Sequence, residues 1–260
     1  MLEKLKLPAG VSVAAKALCV VGALLFSSSV QAAEANIAVA ANFTSAMKRI
    51  ASDFERETGH TLVLSFGSTG QFYAQIKNGA PFAALLAADD ETPYKLEKEG
   101  LAVAGSRFTY ATGRLVLWSA KPGYVDDRGD ILKNAGFDRI AIANPKLAPY
   151  GAAAFEVLDG MGLRSRIISK VVEGNNITQT YQFVATGNAQ LGFVALSQVF
   201  ENGAFTSGSG WLVPAALHQP IRQDAVLLNN GRSNPVALAL LKYLQSDKAG
   251  AVIRALGYER

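Results

Sequence analysis

A regular alternation of two patterns after about residue 33 constrains the fold more than any other feature. Short apolar runs typical of buried strands alternate with segments whose apolar residues recur at the spacing of one helix face. This alternation predicts an α/β fold whose mainly parallel sheet is covered by helices and binds ligands at the carboxyl ends of its strands. The pattern fits one doubly wound domain or two lobes equally well. Strands are expected at 37–40, 61–65, 83–87, 115–119, 140–143 and 191–195.

The N-terminal segment has the three parts of an export signal. Basic residues are followed by an apolar stretch over 17–26, which is too short for a permanent membrane anchor, and by the small residues Val30 and Ala32. We therefore expect a periplasmic protein whose residues 1–32 are a signal peptide, cleaved near Ala32 or Ala33. The alternatives are an uncleaved anchor and a membrane-tethered sensor domain. The one cysteine, Cys19, lies in the removed segment, so the mature chain has no thiol chemistry.

The charge pattern argues against a nucleic-acid partner. The whole chain carries a net charge of +4, and residues 1–32 contribute three lysines and one glutamate, which leaves +2 for the remainder. The mature part has no run of like charges, whereas nucleic-acid binders present a clustered basic surface.

The sequence lacks the common catalytic and metal-binding motifs. The two histidines, His60 and His218, have no second ligand at zinc spacing, and neither nucleotide-binding glycine loops nor a nucleophile elbow occur. We therefore expect no enzyme activity, no cofactor and no protein-ligated cation. An exported hydrolase that uses Ser68 or Asp89 is the alternative from another functional class, although no base is spaced to serve either residue.

Three strand-to-helix turns carry small, hydroxyl or amide residues where a helix is expected to begin. They span 41–45, 67–70 and 174–178. Free backbone N–H groups and the positive end of the helix dipole bind anions at such places without a cationic side chain. The same residue types also cap helices that bind nothing, so the pattern suggests an anion site without establishing one.

Six short strings together resemble the periplasmic molybdate-binding proteins of ABC importers, in the order of that family and over nearly the whole mature chain. They are Ala40-Ala41-Asn42-Phe43, residues 66–70 with 74–81, Ala87-Ala88-Asp89, residues 113–119, Asn144-Pro145 with Ala148-Pro149-Tyr150-Gly151, and Leu191-Gly192-Phe193-Val194.

The resemblance implies a two-lobed periplasmic binding protein fold with the ligand in the cleft between the lobes. Each lobe would hold a mixed, mainly parallel sheet flanked by helices. Lobe one would comprise residues 33–112 and 198–260, and lobe two residues 113–197. The implied ligand is molybdate or tungstate, bound by hydroxyl and amide donors and delivered by a monomer to an ABC permease in the inner membrane. Matching the strings places these donors at Asn42, Ala41, Thr69, Ser68, Tyr150 and Ile177.

One departure from the family bears on the site. Some members offer a tyrosine hydroxyl where this chain has Ala195, so we expect that contact to be lost or to be replaced by Asn42 or by the Tyr150 side chain. The preference between molybdate and tungstate stays open. The alternative ligand is another solute, such as sulfate, phosphate or a chelated cation.

Overall fold

The computed structural model describes residues 33–260, and the expected signal peptide lies outside them. The strands are β1 Glu34–Ala40, β2 Thr61–Gly67, β3 Ala84–Leu86, β4 Phe108–Gly113, β5 Leu115–Ser119, β6 Ile140–Ala143, β7 Val171–Gly174, β8 Leu191–Ala195, β9 Phe200–Glu201, β10 Ala204–Phe205, β11 Ser209–Leu212 and β12 Ile221–Leu227. The α-helices are α1 Thr44–Thr58, α2 Thr69–Lys77, α3 Glu91–Lys98, α4 Asp130–Asn134, α5 Pro149–Gly160, α6 Arg164–Ile167, α7 Ile177–Ala185, α8 Pro235–Leu244 and α9 Asp247–Ala255.

Each lobe is built on one five-stranded mixed sheet. In lobe one the order is β2-β1-β3-β12-β4, in which β1 runs parallel to β2 and β3 while β12 runs antiparallel to β3 and β4. In lobe two the order is β11-β5-β8-β6-β7, in which β6 runs parallel to β7 and β8 while β5 runs antiparallel to β8 and β11. The two-lobed α/β fold expected from the sequence is therefore confirmed.

Apolar helix faces cover both sides of each sheet, as the sequence pattern predicts. In α1 the face formed by Met47, Ile50 and Phe54 is fully buried against the sheet of lobe one, and the helix ends at Gly59 with a φ of 70°. Glycine adopts this left-handed conformation without a steric penalty, so it terminates the helix cleanly. Each lobe thus has a hydrophobic core on either side of its sheet.

The second crossover lies later in the chain than expected. The family resemblance implies that all of 198–260 lies in lobe one, but β11 pairs with β5 in the sheet of lobe two. Trp211 holds it there because its ring is buried in the core of lobe two. The segment after β8 first contacts lobe one at Ser197, whose hydroxyl donates to the Asn42 carbonyl at 3.0 Å, and the chain rejoins the first sheet only at β12.

No helix within residues 33–260 has the length and apolar character required to cross a bilayer.

Candidate anion-binding site

A small cavity lies between the lobes, at the carboxyl ends of β1 and β2 in lobe one and beside the starts of α5 and α7 in lobe two. The cavity is small and has room only for a compact group. The structure brings all six sequence-predicted site residues to the cavity wall: Ala41, Asn42, Ser68, Thr69, Tyr150 and Ile177.

Lobe two supplies backbone amides. Tyr150 follows Pro149 in the first turn of α5, and the next two amides, of Gly151 and Ala152, donate to the Ala148 carbonyl at 2.8 and 3.2 Å. The first amides of a helix have no carbonyl to bond within it. The Tyr150 N–H is therefore left for another acceptor, and Tyr150 lines the cavity.

Ile177 offers a second amide of the same kind. It is the first residue of α7, and the Oδ1 of its cap residue Asn176 accepts from the Gln179 N–H at 3.0 Å. The cap therefore satisfies a later amide and leaves the Ile177 N–H without an acceptor in the helix.

Two adjacent hydroxyls of lobe one complete the donor set. Thr69 Oγ1 accepts from the Ala88 N–H at 2.9 Å, which leaves the hydroxyl hydrogen of Thr69 free to be donated. Ser68 precedes α2 in an extended conformation, and its N–H donates to Gln71 Oε1 at 3.3 Å.

The Ser68 hydroxyl itself is buried without a hydrogen-bond partner among the described residues. A buried hydroxyl in that state costs about 1–3 kcal/mol. Since Ser68 lines the cavity, its hydroxyl is available to bond a group placed there.

No charged side chain of the described chain lines the cavity, and residues 33–260 contain no cluster of three His, Cys, Asp or Glu that could hold a metal ion. A groove of about 610 Å³ adjoins the cavity at Ala88, Ala148 and Pro149 and carries charges of both signs. Asp89 lines this groove, where burial raises the pKa of its carboxyl to about 6 although Thr92 donates two hydrogen bonds to it.

The Asn42 and Tyr150 side chains are engaged away from the cavity. Asn42 Nδ2 donates to Gln223 Oε1 at 2.9 Å and to Tyr258 Oη at 3.1 Å, and Gln223 Nε2 donates to Tyr150 Oη at 3.1 Å. Both side-chain hydrogens of Asn42 are thus used, and its backbone is the part left to face a ligand. The expectation that one of these side chains replaces the missing tyrosine at Ala195 finds no support in this arrangement.

The residues that form this network with Asn42 and Tyr150 were not predicted from the sequence. Gln223, Tyr258, Tyr110 and Ser197 lie in segments without a capping or apolar signature, and their proximity to Asn42 arises only from the tertiary fold.

The two lobes touch directly on either side of the cavity. The Gly70 N–H donates to the Leu147 carbonyl at 2.9 Å, and Thr178 Oγ1 donates to the Ala41 carbonyl at 3.3 Å. Both bonds join lobe one to lobe two, so the described conformation is a closed one.

Comparison with known proteins places this architecture in a family. The family model described as bacterial extracellular solute-binding protein matches residues 35–259. The "Molybdate-binding protein ModA" of Azotobacter vinelandii is 63% identical over 237 residues, which cover 91% of this chain and 94% of that protein. The protein of the same name from Rhodobacter capsulatus is 51% identical over 227 residues, covering 87% of this chain and 88% of the relative.

A solved structure agrees with these relatives. The periplasmic molybdate-binding protein of Azotobacter vinelandii superimposes with a TM-score of 0.84 at 42% identity, covering 87% of this chain and 99% of that one. The resemblance found in the six sequence strings is therefore confirmed. This chain belongs to the bacterial extracellular solute-binding proteins and, within them, to the family of the periplasmic molybdate-binding proteins.

Proposed function

We propose that this protein captures molybdate or tungstate in the periplasm and delivers the anion to an ABC permease. The observation that carries the proposal is the buried, uncharged cavity whose polar wall consists of donors, with the Ser68 hydroxyl left without a partner. The names of the two relatives at 63% and 51% identity support the choice of ligand.

The donor geometry suggests how the oxygens are divided between the lobes. In the proposed complex, four groups of lobe one hold oxygens of the anion. They are the Ser68 and Thr69 hydroxyls and the backbone amides of Ala41 and Asn42, which lie in the short 3-10 turn before α1. The Tyr150 and Ile177 amides hold the others from lobe two. Helix N-termini on both sides supply partial positive charge, so a dianion is stabilised without a counter-ion.

A site with donors alone discriminates by protonation state. Molybdate and tungstate are fully deprotonated at neutral pH and accept at every oxygen, whereas a protonated phosphate would turn its O–H toward another donor. The small cavity would then separate sulfate from the larger anions by the fit of each oxygen to its donor.

The same geometry supports binding rather than catalysis. A serine nucleophile requires an adjacent base, and Ser68 Oγ has no hydrogen-bond partner among residues 33–260. Asp89, the other residue considered for hydrolysis, uses its carboxylate oxygens to accept from the Thr92 backbone and hydroxyl. We propose that the protein is not an enzyme and uses no cofactor.

We further propose export with cleavage near Ala32 or Ala33 and a monomeric mature protein that docks on its permease. The charged, apolar and small-residue parts of the N-terminal sequence support the export step. The intact mass of the protein recovered from the periplasm would test the cleavage site, and a mass that retains residues 1–32 would contradict it.

Titration calorimetry with molybdate, tungstate, sulfate and phosphate tests the ligand. We expect tight binding of the first two and at least about hundredfold weaker binding of the others, equivalent to about 2.7 kcal/mol. Sulfate that binds as well as molybdate would contradict the assignment. Metal analysis of the protein purified from periplasm would identify the preferred anion.

A further inference from the structure

A buried group of polar side chains lies directly beneath the cavity and makes none of the proposed anion contacts. We call it the hinge network because it sits where strands cross between the lobes, and its members are at most 7% exposed. The hinge network consists of Asn42, Tyr110, Tyr150, Ser197, Gln223 and Tyr258.

Gln223 joins the two lobes through its side-chain amide. Its Oε1 accepts from Asn42 Nδ2 at 2.9 Å and lies 3.1 Å from Tyr110 Oη, whose hydrogen is also directed at the Ala87 carbonyl at 2.8 Å. Asn42 and Tyr110 both belong to lobe one. Gln223 Nε2 donates to Tyr150 Oη at 3.1 Å in lobe two. One fully buried side chain therefore holds two residues whose backbones line the cavity from opposite sides.

The backbone around Gln223 is shaped to permit this bridge. The register of β12 with β4 shifts between Gln223 and Asp224. At the β4–β5 crossover, a Cβ on Gly113 would lie 2.0 Å from Tyr150 Oη and 2.5 Å from Gln223 Nε2. Contacts that short are not tolerated, so the absence of a side chain at Gly113 is what lets Gln223 and Tyr150 meet.

The chemistry of the bridge calls for an amide. Gln223 must accept on one side and donate on the other, which a neutral amide does and a carboxylate does not. A carboxylate at this position would also place a buried negative charge beneath a bound anion, where the low dielectric strengthens the repulsion.

We propose that Gln223 is a positioning residue of the anion site, which fixes the Asn42 backbone of lobe one relative to the Tyr150 backbone of lobe two. The inference rests on the proposed function and deepens it. Without the bridge, the donors of each lobe keep their local geometry but lose the side-chain bond that aligns Asn42 with Tyr150 across the cleft.

A double-mutant cycle on molybdate affinity tests the bridge. Gln223→Met and Tyr150→Phe each remove it, and we expect each to weaken binding by at least about fivefold, or about 1 kcal/mol. Because both changes delete the same bond, the molybdate affinity of the double variant should be about equal to that of the single variant with the lower affinity. Losses that multiply in the double variant, or a Gln223→Met affinity within about twofold of the parent, would overturn the inference.

Thr109→Val is the matched control. Thr109 Oγ1 donates to the Asp224 carboxylate, next to Gln223 on the same strand, but that bond stays within lobe one. We expect a lower unfolding temperature and an unchanged molybdate affinity. A loss of affinity equal to that of Gln223→Met would show a general effect of disturbing β12 and would contradict a specific role of Gln223.

A pH profile separates positioning from mere structural support. Gln223→Glu should bind molybdate weakly at about pH 8 and regain affinity as the pH falls toward about 6, because burial and the bound anion favour the protonated carboxyl. The parent and Gln223→Met keep Asp89, which titrates near pH 6 in the adjoining groove, so the trend is measured as the difference from these two proteins. A flat difference profile for Gln223→Glu would contradict the inference, whereas failure of the parent to bind molybdate would refute the proposed function instead.

Discussion

The Ser68 hydroxyl is buried without a hydrogen-bond partner among the described residues. Its removal should therefore lower the affinity for molybdate without lowering the stability of the ligand-free protein. In Ser68→Ala the ligand-free protein sheds a buried hydroxyl without a partner, so its unfolding temperature should stay equal or rise. Molybdate affinity should fall at least about tenfold, or about 1.4 kcal/mol, because one oxygen loses its donor. Calorimetry and thermal unfolding of the ligand-free protein measure the two effects.

A second buried serine provides the control for this variant. Ser119 Oγ donates to the Gln190 carbonyl inside lobe two, so Ser119→Ala should lower the unfolding temperature and leave affinity unchanged. If Ser68→Ala behaved like Ser119→Ala, the hydroxyl of Ser68 would have a structural partner and the proposed ligand contact would be wrong.

Asp89 should make the stability of the protein depend on pH. Burial raises the pKa of its carboxyl to about 6, from 3.8, so the folded state binds the proton more tightly than the unfolded chain. Folding is then favoured by protonation below about pH 4, and this contribution is lost as the pH rises through about 6, by up to about 3 kcal/mol.

Asp89→Asn tests this because the amide oxygen still accepts from the Thr92 N–H while the charge is removed. We expect the variant to unfold at a higher temperature than the parent at about pH 7 and at nearly the same temperature at about pH 4. A difference that does not change with pH would show that the ionisation of Asp89 is not its cause.

Among the secondary-structure elements, the sequence predicts the buried strands that consist mainly of apolar residues. All six expected strands are present, as β1, β2, β3, β5, β6 and β8. Strand β12 was not predicted because Arg222, Gln223 and Asp224 interrupt its apolar pattern, although two of these three side chains are buried. Gln223 and Asp224 can be buried because Tyr110 and Arg107 contact them, and these partners lie more than 110 positions away in the chain.

In the candidate site too, local sequence features could be predicted and long-range contacts could not. The helix N-termini are local features, so the turns at 41–45, 67–70 and 174–178 could be recognised, and the resemblance added Tyr150. The hinge network is not local, since Asn42 and Tyr258 are 216 positions apart, and no spacing rule connects them. The sequence therefore predicts the donors around the cavity but not the side chains that hold them in place.

The start of α7 allows one backbone donor to be deleted. Ile177 is the first residue of the helix, where proline is tolerated, and Asn176 before it has the extended conformation that proline requires of its neighbour. Ile177→Pro removes the N–H, and we expect molybdate affinity to fall at least about tenfold. Ile177→Ala removes most of the side chain but keeps the N–H, so comparing the two by calorimetry isolates the amide. Equal affinities would show that the Ile177 amide is not a ligand.

At the scale of the whole molecule, the proposed site needs donors from both lobes, and Gly70 lies where the two backbones approach each other closely. A Cβ on Gly70 would lie 3.0 Å from Leu147 Cα and 3.2 Å from the Leu147 carbonyl oxygen, across the cleft. Alanine is compatible with the helical backbone of α2 and favours helix by about 0.5–1 kcal/mol over glycine. Gly70→Ala should therefore preserve or raise the stability of the ligand-free protein while it strains closure.

The strain should appear in the kinetics of binding. We expect Gly70→Ala to weaken molybdate binding by about tenfold, mainly through faster dissociation, because the closed complex is destabilised while the open site keeps its donors. Gly160→Ala is the control, since Gly160 also lies in a helix and a Cβ there meets nothing within 4 Å. Stopped-flow measurement of both variants would decide the point. Dissociation from Gly70→Ala at the parent rate would mean that the Gly70–Leu147 contact adds nothing to retention of the anion, and that the alignment of donors at the hinge network suffices to hold it.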